Sequence, residues 1–509
     1  MNISALLRAP AASTPEKTAL HFGSTAADDS LTFAELDAEV DRVAAGLRKL
    51  GVERGDRVGI AMPNVPHFLF AYFGILRAGG VAVPLNVMLA EQEIARIVQD
   101  AQPKVILGAG DPGRAASAAA GSLKVEIVTA DRWDELGDLG QKFDDEQVEE
   151  DDLAVLAYTS GTTGNPKGAM LSHGNLMANL EQQSSIPHDR VNPEDVLLLT
   201  LPLFHIFGLN VPLGLLVKNG ATGILLERFE PVATLREIER HKVTILFGAP
   251  PMYIAWVATP GADQYDLSSV RLAVSGASPL AVEVLNSFRD MFGVEIDEGY
   301  GLTETSPTLT SNRMMPKPKP GSVGRALPGV DLRIVDESGN DVELGDPGEI
   351  IVKGPNVFKG YWQQPEETAR VFVDGWFRTG DIAIKDEEGY IHLVDRKRDL
   401  VIVSGFNVFP SEVEAAILQN PKVAEAAVVG VPHEYRGETL KAYVVLEPDV
   451  DATEAELLTD VGGRLARFKC PETIDIVESL PHLLTGKVMR RMLRDIGVSA
   501  DAGAEATPA

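Results

Sequence analysis

The chain has 509 residues, 45% of them apolar, and carries a formal net charge of −28. That length implies more than one domain with ample buried core, and the charge argues against nucleic acid or an anionic bilayer as a bulk electrostatic partner. With one cysteine, Cys470, an internal disulfide and a multi-cysteine metal site are both excluded.

The start, MNISALLRAPAASTPEK, lacks a basic head followed by a long apolar run, so no signal peptide is expected and the expected location is cytoplasmic. Residues 31–50 read as an amphipathic helix: Leu36, Val40, Val43, Leu47 and Leu50 recur at helical spacing, and Thr32 with Glu35 forms a capping-box signature. The run FLFAYFGIL, residues 68–76, stops at Arg77, well short of the roughly 20 residues a membrane span needs, and reads as a core helix. Loose peripheral membrane contact stays open. Apolar, β-branched runs then alternate with helical patterns (RVGIAMPN, GGVAVPL, PKVILG, KVEIVTA, VLLLTLPLF, ATGILLERF, VTILFGAPP and VRLAVSGAS). Continuous apolar strands between helices imply an α/β fold with largely parallel sheets covered on both faces. The acidic stretch FDDEQVEEDD, residues 143–152, reads as a solvated connection.

It leads through the strand-like LAVLAY into YTSGTTGNPKG, residues 158–168. Here Thr159, Ser160, Gly161, Thr162, Thr163, Gly164 and Lys167 combine glycine-freed backbone N–H groups, hydroxyl donors and one cation, the equipment for holding a polyphosphate. A Walker A loop is excluded, because Lys167 is followed by Gly168 rather than Ser or Thr. Further on, EGYGLTE (residues 298–304) sets Tyr300 between Gly299 and Gly301, as if presented at a tight turn. A flat ring there can stack on a purine, Thr303 can donate to a phosphate, and Glu304 can ligate Mg²⁺ through oxygen. In WFRTGD, Asp381 can accept hydrogen bonds from both hydroxyls of a ribose, and Arg396 is a candidate for the same ribose or the phosphate.

After Gly321 the texture changes. Two hairpin patterns, VDLRIVDESGNDV and IAIKDEEGYIHLV, imply a small β-rich subdomain. A strand–helix–strand–strand–helix–strand pattern then follows DRKRD, with capping boxes at Ser411/Glu414 and Thr453/Glu456. The expected organisation is an N-terminal domain over residues 1–395, a hinge at 396–399, a small α+β domain over 400–498 and a disordered tail over 499–509.

In this order the motifs resemble the adenylate-forming superfamily, which includes acyl-CoA synthetases, firefly luciferase and nonribosomal-peptide adenylation domains. The resemblance runs from about Thr32 to Arg491, and VSGFNVFP with DRKRD is especially similar to the fatty-acyl-CoA ligases. It implies ATP, Mg²⁺ and CoA as cofactor and co-substrates and a carboxylic acid as the small-molecule partner. It also implies a phosphate grip by residues 159–167 and a nucleotide site from Gly276, Ala277, Ser278, Glu298, Gly299, Tyr300, Gly301, Thr303, Asp381 and Arg396. Glu304 is implied for the metal and Lys487, in LLTGKVMRRM, as catalytic lysine. Gly405 and Phe406 are implied for a pantetheine tunnel and Arg398 for the hinge. For the acyl group it implies His205, together with Gly208, Val211, Phe247, Gly276 and Pro307. His205 lies between Phe204 and Phe207, and no acidic residue stands between Pro202 and Gly220, so an amino acid's ammonium group has no partner there. The expected reaction is adenylation of an apolar acid followed by transfer to CoA. A medium- or long-chain fatty acid is first choice and an aryl or arylpropenoic acid second, with an acyl-AMP ligase that loads a carrier protein as the rival activity.

Overall fold

The computed structural model describes residues 1–23, 29–108, 125–159, 166–188, 190–396, 399–403, 406–433, 437–482, 487–490 and 492–494. By internal contacts the chain forms two compact units. One is Met1–Leu332 with Val352–Phe377, the other Arg333–Ile351 with Arg378–Ala509.

The apolar runs of the first unit become two sheets. One has six strands in the order Glu126–Thr129, Val105–Gly108, Arg57–Ala61, Val81–Pro84, Leu153–Thr159 and Lys167–Ser172. Its pairings are parallel except the last, where Leu153–Thr159 and Lys167–Ser172 run antiparallel. Ile60, Ala82, Val83, Ile106 and Leu156 are fully or almost fully buried, as expected of strands covered on both faces. The second sheet has nine strands. Its parallel centre, Thr18–Phe22, Thr222–Leu225, Val196–Leu199, Ile245–Gly248, Leu272–Ser275 and Ile296–Gly301, is flanked by antiparallel edges. The α/β expectation therefore holds.

The helix predicted over 31–50 spans Phe33–Lys49, and its start follows from the sequence: Thr32 accepts from the Glu35 N–H while Glu35 accepts from the Thr32 N–H. The apolar run at 68–76 is the buried helix Pro66–Arg77. Among the described residues no helix is long and apolar enough to cross a membrane.

The acidic connection differs from its expectation of simple solvation. Arg77 is fully buried and bonds Asp37, Asp41 and Asp145, while Arg8 bonds the same three carboxylates. Glu146 pairs with Arg48 at 2.5 Å. Two acids of the run thus fasten it to the helix Phe33–Lys49 and its neighbours, since a buried guanidinium requires paired carboxylates.

In the second unit, the hairpin predicted at 382–394 forms between Trp376–Lys385 and Ile391–Arg396. The one predicted at 330–342 makes its turn, with Gly339 at φ 84°; Val335 bridges Asp341, the Asp336 N–H donates to the Asn340 carbonyl at 2.8 Å and the Val342 N–H to the Ile334 carbonyl at 3.1 Å. The C-terminal part is α+β: a five-stranded sheet with the helices Pro410–Leu418 and Glu454–Gly462. Val401, Val413, Ile417, Val428, Leu440, Val444, Leu457 and Ile474 form its core. The capping box at Thr453/Glu456 is present. The one expected at Ser411/Glu414 is absent, because Phe409 is the N-cap residue and Pro410 opens the helix. Ser411 instead donates to the Val394 carbonyl at 2.5 Å, and Glu414 turns to Arg490.

The contact division does not fall at Asp395, since residues 378–395 group with the C-terminal part. The expected tail over 499–509 and the hinge candidate Arg398 lie outside the described residues.

Candidate active site

The stems of the proposed phosphate loop are fixed by sheet register. Thr159 stands opposite Lys167 and Tyr158 opposite Gly168, so the loop springs from a closed antiparallel pair. Ser160, Gly161, Thr162, Thr163 and Gly164 lie outside the described residues. The Lys167 ammonium meets Glu367 at 2.5 Å and sits 5.2 Å from the centre of the Tyr361 ring. The Tyr361 hydroxyl in turn donates to Glu304 Oε1 at 2.8 Å. One tyrosine therefore touches two residues that the sequence placed in separate motifs.

The segment EGYG is the end of the strand Ile296–Gly301, so Tyr300 is not presented by a turn. Gly299, Tyr300 and Gly301 pair antiparallel with residues 308–311, with an irregularity between Tyr300 and Gly301. Alternation puts Glu298 and Tyr300 on the buried face. Gly301 is required there, because a Cβ would lie 1.9 Å from the Pro307 carbonyl oxygen. Thr303 and Glu304 follow in a short 3₁₀ turn, Thr303–Thr305. Glu298 accepts from the Leu280 and Gly321 N–H groups, both at 3.3 Å, and burial raises its pKa. Its carboxylate thereby fastens the segment after Ser275–Pro279 to the EGYG strand. Within that segment Ala277 adopts φ 76°, the left-handed region that costs a residue with a Cβ energy. Ala277 is exposed and Ser278 half-buried.

The acyl candidates gather around the helix Ile206–Asn210. Phe207 meets Phe247 edge-on, ring centres 6.5 Å apart, and a Cβ on Gly276 would lie 3.1 Å from the Phe207 ring. Gly208 packs its Cα toward the Pro202 carbonyl, where a Cβ would come within 2.5 Å. Asn210 donates to the Ser306 carbonyl at 2.7 Å, which ties this helix to the turn bearing Pro307. Val211 is buried at the joint with the next helix, Pro212–Asn219.

His205 caps the helix Ile206–Asn210. Its Nδ1 accepts from the Phe207 N–H at 3.2 Å, which assigns the proton to Nε2 in the neutral ring. Burial pushes its pKa down to about 4. His173 is depressed to about 4 for the same reason, and its Nδ1 accepts from the Ile3 N–H. A histidine with a depressed folded pKa resists protons that the unfolded chain takes up. Its stability contribution is therefore complete above the ordinary pKa near 6.5 and is lost as pH falls toward 4. Thermal midpoints measured from about pH 7.5 to about pH 4.5 should fall toward acid, and His173→Gln should flatten that slope; an unchanged slope would contradict the assignment.

In the second unit the strand register sets Asp381 directly opposite Arg396, which brings the two ribose candidates together. Asp381 is 5% exposed, and its N–H donates to Thr379 Oγ1 at 3.1 Å. The segment that follows Lys487 is pinned by several ties. Val488 bridges His482, the Met489 N–H donates to Pro481 at 2.7 Å, and Tyr443 donates to the Leu493 carbonyl at 2.9 Å. Arg490 grips both oxygens of Glu414, at 2.8 and 2.7 Å, and lies 3.7 Å from both Asp395 and Asp399. Gly405 lies outside the described residues; Phe406 opens the strand Phe406–Val408.

A model of the AMP-binding enzyme family matches residues 7–362, and one of that family's C-terminal domain matches residues 412–487. The chain belongs to the AMP-binding enzyme family. Within it the chain is an acyl-CoA ligase of the adenylate-forming superfamily, an acid–thiol ligase acting with ATP and CoA. It is 37% identical to a long-chain-fatty-acid–CoA ligase of Bacillus subtilis (strain 168), over 96% of this chain and 94% of that protein. It is 38% identical to a feruloyl-CoA synthase of Amycolatopsis sp, over 94% of this chain and 96% of that protein. The crystal structure of ATP-bound MatB from Rhodopseudomonas palustris superimposes with a TM-score of 0.90 at 37% identity, covering 97% of this chain and 99% of that one. Fatty-acid and aryl-acid relatives are equally similar, so the family leaves the acid open.

Mg²⁺, typical of this AMP-binding family, fits the residues present. Among the described residues no group of three ligating side chains gathers, and Glu304 is a buried carboxylate oriented by a hydroxyl. A cation that keeps its waters and takes phosphate oxygens needs only one or two protein carboxylates. Sequence reasoning missed Tyr361 and Glu367. Their segment, GYWQQPEET, offers an aromatic and acids but no phosphate or metal pattern.

Proposed function

We propose that this ligase activates an apolar carboxylic acid, a medium- or long-chain fatty acid first, in two steps. The carboxylate attacks the α-phosphorus of ATP and pyrophosphate leaves; the CoA thiol then attacks the acyl carbonyl and AMP leaves. The observation that carries the choice of acid is the uncharged cluster of Phe207, Phe247 and Gly276 beside a neutral His205. None of these four described residues carries an acid to pair with an ammonium group, and the Nε2–H of His205 is a donor suited to a carboxylate or acyl oxygen. The feruloyl relative favours an arylpropenoic acid as the second reading.

In the first step, residues 159–167 grip the β and γ phosphates, with Lys167 exchanging Glu367 for phosphate. Tyr300 stacks on adenine, Asp381 and Arg396 hold the ribose, and Thr303 meets the α-phosphate. Glu304 would hold Mg²⁺, which when bound neutralises phosphate charge. Lys487 stabilises the charge that grows as two anions approach. Rotation about residues 396–399, with Arg398 at the pivot, then replaces Lys487 by Gly405 and Phe406 as the small domain's working face, and closure keeps water from the acyl-AMP.

The test is thioester formation over acids of graded length and aromaticity, with and without CoA. Saturated apolar acids should lead, with arylpropenoic acids next. A preference for amino acids would refute the reading, and acyl-AMP accumulation undiminished by CoA would favour a carrier-loading ligase.

A further inference from the structure

The residues Phe358–Trp362 do more than connect. The Lys359 N–H donates to the Met170 carbonyl, the Met170 N–H to the Gly360 carbonyl, and the Trp362 N–H to the Gly168 carbonyl, so this segment pairs antiparallel alongside the strand Lys167–Ser172. The Phe358 N–H also donates to the Glu304 carbonyl at 2.9 Å. Tyr361 sits where these ties converge. Its N–H is held by Thr368 Oγ1 at 2.9 Å, and its ring is set edge-on to Phe358 with centres 5.0 Å apart. From that fixed position the ring faces Lys167 and the hydroxyl reaches Glu304.

We propose that Tyr361 is a positioning residue that aims the Glu304 carboxylate at its cation and couples that aim to Lys167. The inference rests on the assignment of Glu304 to the metal. A hydrogen bond from a buried hydroxyl leaves one carboxylate oxygen committed and fixes the rotation of the other. Removing such an outer partner of a metal ligand typically costs metal affinity without removing a ligand. The Lys167 ammonium over the same ring is attracted by the ring's negative face, so the metal ligand and the phosphate-gripping cation share one scaffold.

The test is calorimetric binding of ATP with Mg²⁺ present and with the metal chelated, in the wild type, Tyr361→Phe, Glu304→Gln and the double variant. Tyr361→Phe keeps the ring, its packing and the Lys167 contact. It should weaken ATP binding in Mg²⁺ roughly 10-fold while leaving metal-free ATP binding unchanged. Glu304→Gln should weaken binding in Mg²⁺ at least as much, and adding Tyr361→Phe to it should cost nothing further. Equal weakening of both forms of ATP by Tyr361→Phe, or no weakening of either, would overturn the positioning role while Glu304→Gln still responds. No response from Glu304→Gln would overturn the metal assignment and the inference with it.

Discussion

Arg490→Leu should destabilise the protein by about 3–5 kcal/mol, a large part of an ordinary folding free energy. Glu414 packs at the edge of the C-terminal core, its side chain 14% exposed, with both oxygens on Arg490 and one also on the Val428 N–H. Deleting the guanidinium leaves a largely covered carboxylate with a single backbone donor. Deleting both charges is a different change, because two apolar side chains of similar size carry no desolvation cost. The double variant Arg490→Leu/Glu414→Leu should therefore recover most of the loss. Denaturant midpoints read both effects. A single variant within about 1 kcal/mol of wild type, the range of an exposed pair, would contradict the buried character of this contact, as would a double variant no better than the single.

The same pair explains why Ser411/Glu414 misled as a capping signature. The spacing is right, but Pro410 already opens the helix and Arg490, 76 residues away, claims the glutamate. Thr32/Glu35 and Thr453/Glu456 were legible because both partners lie within one turn. Much of the proposed site was legible for a similar reason. The glycine–threonine loop, EGYGLTE and the Gly-Lys pair are each local runs whose composition limits what they can do. Strand patterns indicated the parallel sheets, since apolar continuity reports burial on both faces.

Contacts made across long separations left no mark. Tyr361 meets Glu304 across 57 residues and Lys167 meets Glu367 across 200. Asp145 reads as one acid in a charged run, and only the fold brings buried Arg77 to it. Tyr300 was expected on a turn because two glycines flank it. The glycines answer instead to close approach in a paired strand, most directly at Gly301.

Lys487→Ala should separate the two half-reactions. A cation placed where charge accumulates in the transition state is worth about 100- to 1000-fold in rate. Lys487 stands immediately before the segment pinned by the Val488 bridge and the Arg490 grip, and its charge is needed only while the α-phosphorus is attacked. Arg490 and the Tyr443 contact hold the segment whatever stands at 487, so Lys487→Ala should fold normally. The measurement is the rate of each half-reaction in that variant: acyl-AMP formed from ATP and an apolar acid, and thioester formed from supplied acyl-AMP and CoA. The first should fall by about 100- to 1000-fold while the second stays near wild type. Equal losses in both half-reactions would contradict the role of Lys487.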